Sequence, residues 1–104
     1  MTTTHVAKRI EVLVDAPLVP RIAEALNAAG ATGYSVFRAL SGSGRGGQWA
    51  EEQVTAAESK LMVVAITTGE HADAVVDRLA PLLDSHGLLL TLSDVAVVRP
   101  QRFA

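Results

Sequence analysis

Cysteine is absent from the 104-residue chain, and with it go a disulfide framework, a thiolate zinc site and a thiol nucleophile. That absence fits a reducing compartment. Positive charge is not in excess either. Nine Lys and Arg stand against eleven Asp and Glu, a net charge of −2, so there is no broad basic field for a polyanion, and nucleic acid is not an expected partner. The three histidines, His5, His71 and His86, lie far apart without ligand spacing, and no metal site is expected. Apolar stretches are too interrupted for a membrane span. The start Met1-Thr2-Thr3-Thr4-His5 has no apolar stretch leading to a cleavage site, so no signal peptide is expected and the cytoplasm is the default location.

What is present is an apolar, globular composition, with 49% hydrophobic and 19% charged residues. The length sets one domain, residues 1–104. A domain of this size buries roughly 65% of its unfolded surface, so self-association that covers more apolar area is favourable.

Ile10, Val12 and Val14 alternate with Arg9, Glu11 and Leu13, a period of two that predicts a first strand over about residues 7–14. From Pro17 to Ala29 the apolar residues Leu18, Ile22, Ala25, Leu26 and Ala29 fall at helical spacing, and Gly30 ends that helix. A second strand follows through Tyr34-Ser35-Val36-Phe37-Arg38-Ala39, with its core face left open by the pattern. Lys60 to Thr67 is a near-continuous apolar run, expected of a central strand covered on both faces or lying at an oligomer interface.

Thr67 or Thr68 caps a second helix through Val75, Val76, Leu79, Leu82 and Leu83 to His86-Gly87, and Pro81 predicts a kink or early stop within it. Leu88 to Val98 is the fourth strand. The order βαββαβ is the ferredoxin-like α+β fold, a four-stranded antiparallel sheet with two helices on one face. Its other face, apolar along the third and fourth strands, calls for cover, and subunit packing is the obvious one.

Residues 41–58 are rich in Gly, Ser, Glu and Gln, lack an apolar period and carry an isolated Trp49. They are expected to form a long mobile loop, a kind of segment that tends to be functional. A disordered hairpin tip is the plain alternative. Gly42-Ser43-Gly44-Arg45-Gly46-Gly47 offers successive backbone N–H groups and a guanidinium to phosphate or carboxylate. It is neither a Walker loop nor a Rossmann fingerprint, and on spacing alone a flexible linker is the stronger explanation. Lys60, Arg99 and Arg102 stand near strand ends, where a split βαβ sheet is expected to bring them to the edge from which the loop springs, unless each is simply solvated. Glu51-Glu52 makes a poor acid-base pair, no nucleophile motif is present, and no catalytic residue is assigned.

Gly30-Ala31-Thr32-Gly33-Tyr34-Ser35-Val36, Gly42-Ser43-Gly44-Arg45 and Lys60 together resemble the PII-like signalling proteins. Within them the chain is most similar to the carbon-sensing branch, the regulators of bicarbonate transporters and the PII-like proteins encoded with carboxysomes. The resemblance implies a homotrimer with adenine nucleotides in clefts between subunits. It assigns nucleotide contacts to Ser35, Gly42, Gly44, Arg45, Lys60, Met62, Val64, Gly87, Arg99 and Arg102, and a bicarbonate site to Arg45 and Lys60. It implies no resident cofactor, no enzymatic activity, and a protein partner met through residues 41–58. That partner is a bicarbonate transporter or a carboxysome component, and location follows it.

The chain departs from the nitrogen-sensing members of that family in three places. Ser85-His86-Gly87-Leu88 lacks the Lys that in those members grips the outer phosphates of ATP, which favours ADP or AMP. Gly46 replaces the Gln that helps bind 2-oxoglutarate, and the loop has no Tyr to be uridylylated. The alternative to a sensor is a structural or metal-handling ferredoxin-like trimer that binds no nucleotide.

Overall fold

Strand β1 runs over Thr2–Asp15, and its even-numbered residues Ile10, Val12 and Val14 are buried. The structure, a computed structural model, describes residues 2–44, 47–50 and 59–100. A short 3₁₀ turn over Ala16–Leu18 leads into helix α1, Val19–Ala28, with Pro20 in its first turn, where a missing N–H costs nothing. Strand β2 is Tyr34–Arg38, β3 Ser41–Gly44, β4 Gly47–Ala50 and β5 Lys60–Thr67. Helix α2 covers Gly69–His86 and strand β6 Leu89–Pro100.

Strands β2, β5, β1 and β6 form one sheet in that order, every neighbouring pair antiparallel. Register places Ile10 opposite Ala65 and Leu92, and Val12 opposite Val63 and Leu90. Directly opposed residues share a face, so this is the face that both helices cover. Ile22 and Leu26 of α1 and Ala72, Val75, Leu79 and Leu82 of α2 close on it, and all are buried. Each such Leu, Ile or Val contributes about 1.5–3 kcal/mol on leaving water. The ferredoxin-like α+β fold is therefore the fold of this chain.

Four elements differ from the sequence reading. The first strand begins at Thr2 rather than near residue 7, because Thr2 to Ala7 pair with Val95 to Pro100 in a two-stranded ribbon that outruns β5. The last strand likewise extends to Pro100.

Pro81 does not end α2, which continues through it to His86. It sits on the exposed side, where a carbonyl that loses its helical N–H partner is open to solvent, while buried Leu79 and Leu82 hold the helix on either side. Ser85 Oγ donates to Pro81 O at 3.0 Å.

The segment expected as an irregular loop carries a hairpin at its start, β3 against β4, with Gly42 opposite Trp49 and Gly44 opposite Gly47. The remainder of that segment, 45–46 and 51–58, lies outside the described residues. Strand β2, whose core face the pattern left open, is an edge strand with all five residues exposed. Tyr34, Val36 and Arg38 take the helix side, and Ser35 and Phe37 the other.

Candidate ligand site

The sheet face away from the helices is uncovered in the single chain. Its rows read Phe37, Met62, Leu13, Leu89 and, one step along, Ser35, Val64, Glu11, Thr91. Phe37 is 54%, Ile66 46% and Leu89 57% exposed, a contiguous apolar surface of the kind that marks an interaction site.

The sequence-assigned residues divide between two regions of this surface. Lys60, Met62 and Val64 alternate along β5 and so share the open face with Ser35 of β2, opposite Val64. Ser35, Val64 and Arg99 line an open cavity of about 440 Å³ together with Arg9, Gly33, Tyr34, Phe37 and Ile66. A second opening, about 410 Å³, lies where β5 stops beside the β1–β6 ribbon. It is lined by His5, Ala7, Ile66, Val97 and Arg99 among others.

At the opposite end of β1, Lys60 Nζ donates to Asp15 Oδ1 at 2.5 Å, the two being direct partners in the β1–β5 register. Asp15 heads the 3₁₀ turn yet makes no side-chain cap there, its carboxylate being given to Lys60. Around the pair, Ala16 N–H donates to Ser59 O at 2.8 Å and Ala39 N–H to Lys60 O at 3.1 Å. The backbone of Ser59 and Lys60 thus joins the end of β1 to the foot of the β3–β4 hairpin.

The expected convergence of Lys60 and Arg99 does not occur within one chain. Arg99 pairs with Thr3 and Lys60 with Asp15. Those positions lie roughly 40 Å apart along β1 at the usual rise per residue. Ser35, Val64 and Arg99 line one cavity, whereas Lys60, on the same strand face as Val64, and the hairpin glycines Gly42 and Gly44 are not among its lining residues. Arg45 and Arg102 lie outside the described residues, as does the Glu51-Glu52 pair.

Gly87 has a local reason of its own. Its φ of 61° is the left-handed C-cap of α2, and its N–H reaches Leu83 O at 3.2 Å. Gly42 is covered by the Trp49 ring across the hairpin.

Sequence reasoning missed Asp15 and Glu11, which flank the β5 residues on the neighbouring strand. Glu11 Oε1 accepts from Arg9 Nε at 2.6 Å. Neither carboxylate has a motif, and only the strand register reveals them. Among the described residues no group of three His, Asp or Glu side chains is placed to hold a metal ion, and no helix is long and apolar enough to cross a membrane.

The element order, the sheet order and the glycine-bearing connection after β2 agree with one family. The family model for nitrogen regulatory protein P-II matches residues 7–102. The chain belongs to the P-II family.

Solved P-II-like structures superpose along nearly its whole length. CPII, a nitrogen regulatory PII-like protein from Thiomonas intermedia K12 bound to ADP, AMP and bicarbonate, aligns with a TM-score of 0.84 at 21% identity, over 94% of this chain and 93% of that one. The same protein bound to ADP, AMP and acetate aligns with a TM-score of 0.76 at 21% identity, over 97% of each chain. A PII-like signalling protein from Thermus thermophilus gives 0.78 at 20% identity, over 97% of this chain and 98% of that one. No curated protein matches the sequence. Members of the P-II family are signalling proteins rather than enzymes, and this chain is a PII-like regulatory protein.

Proposed function

We propose that the chain is a regulator that binds ADP or AMP, in preference to ATP, in clefts between the subunits of a homotrimer, with bicarbonate as a second ligand. Its output is the conformation of residues 41–58, read by a partner protein in inorganic-carbon metabolism. A bicarbonate transporter or a carboxysome component suits that role, with the regulator recruited from the cytoplasm to it.

The observation that carries this reading is the split of the assigned residues between two ends of the open face. Ser35, Val64 and Arg99 line one cavity, while Lys60, beside Asp15, stands roughly 40 Å along β1 from the level of Arg99, and the β3–β4 hairpin follows β2 at the Lys60 end. A cleft built from one end of one copy and the other end of its neighbour reunites them, and it covers Phe37, Ile66 and Leu89. Backbone N–H groups of Gly42 and Gly44 and the guanidinium of Arg45 suit phosphate, and Met62 and Val64 suit the apolar adenine. The ligands of CPII, namely ADP, AMP and bicarbonate, support the choice.

Ligand binding then acts by population shift, stabilising one state of the loop by the difference in its affinity for the two. Isothermal titration calorimetry with AMP, ADP and ATP, each with and without bicarbonate, tests this. Saturable binding near one nucleotide per chain, weakest for ATP and altered by bicarbonate, is expected. No heat with any nucleotide leaves the fold standing and makes the chain a structural or metal-handling oligomer.

A further inference from the structure

We infer that Asp15 is the selectivity residue for the small anion at Lys60, and that with Lys60 it forms a donor-acceptor pair matched to bicarbonate over anions that lack a proton. This rests on the reading that Lys60 belongs to the ligand site.

Lys60 Nζ and Asp15 Oδ1 stand 2.5 Å apart, and the side chains keep 34% and 46% of their surface exposed, so both are open to a ligand. An anion oxygen accepting from Nζ at about 2.8 Å lies, by the triangle these atoms make, within roughly 5.5 Å of Oδ1. An anion that accepts from Lys60 therefore lies inside the field of the Asp15 carboxylate, and one seated on the Asp15 side meets both groups.

Two consequences follow from charge and hydrogen-bond chemistry. The pair is electrically neutral, so it lacks the surplus positive charge that attracts a multiply charged phosphate, and each added negative charge on the ligand is repelled by Asp15. An ionised carboxylate is acceptor-only, so the ligand that completes the site presents an O–H to Asp15 and an oxygen to Lys60. Bicarbonate does both. Acetate and nitrate offer only acceptors, and leave the carboxylate facing another negative oxygen.

The setting makes the contact consequential for signalling. Ser59 O and Lys60 O hold Ala16 and Ala39, so Lys60 is tied to the strand end and to the chain that enters β3. An anion that shifts the Lys60–Asp15 pair acts directly on the foot of the hairpin.

The test is calorimetric titration of sodium bicarbonate, acetate and nitrate into the full chain at mildly alkaline pH, with and without saturating ADP. Bicarbonate is expected to bind roughly tenfold more tightly than either other anion, the worth of one charge-assisted hydrogen bond. Asp15→Ala is expected to erase that preference, weakening bicarbonate and tightening acetate. Asp15→Asn, close in size, serves where the alanine variant does not fold, and is expected to narrow the preference by tightening acetate.

Equal binding of the three anions by the unaltered chain, no bicarbonate binding at all, or a preference that survives loss of the carboxylate overturns the role of Asp15. Absence of ADP binding alone overturns the nucleotide reading and leaves the anion comparison to be scored on the free chain.

Discussion

Trp49 lies with its indole on Gly42 across the β3–β4 hairpin, so close that a Cβ at position 42 would meet ring atom Cζ2 at 2.6 Å. An edge glycine shielded by a cross-strand aromatic holds a hairpin that its Gly-Ser composition would not. Trp49 is the only tryptophan in the chain, so its emission reports this contact. Gly42→Ala should expel the ring and shift the emission to the red, and a ligand that engages Gly42 should move it too. Unchanged emission in the variant would remove the contact from the account.

Gly30 follows α1 with a φ of 90°, and a Cβ there would approach the His71 ring at 2.9 Å. Strain and crowding combine, so Gly30→Ala should cost about 1–3 kcal/mol in urea denaturation. A neutral result would mean that α1 and α2 are not held in this relation.

Thr68 caps α2, its side chain accepting from His71 N–H at 3.1 Å. Thr68→Ala should lower stability by about 1 kcal/mol and Thr68→Asp should restore most of it, measured by the same denaturation.

Leu26 is fully buried where α1 meets the sheet. Leu26→Ala should cost about 2–5 kcal/mol with an unchanged denaturant slope, the signature of a core cavity rather than an altered unfolded state.

The helices and the central strands were legible because burial imposes a period on them. Ile22 and Leu26, or Val75, Leu79 and Leu82, repeat as one face of a helix must, and the apolar run at Lys60–Thr67 reads as a central strand. Thr2–His5 carried no such signal. Those residues are a strand because β6 lies beside them, and pairing across the chain leaves no local period. The hairpin was hidden for the same reason, its stability coming from one aromatic on one glycine.

The site was legible in parts. The family resemblance supplied Ser35, Val64 and Arg99, and the structure places them around one cavity. Asp15 lies just past the predicted first strand and two residues before Pro17, a position without a local signal, and only its register opposite Lys60 gives it a charge to hold.

Native mass spectrometry of the full chain with added ADP tests the central claim most directly. The account expects a species of three chains carrying up to three nucleotides, with ADP lost when Arg99 is replaced by alanine. A monomer, or a trimer to which no nucleotide binds at saturating ADP, would contradict it.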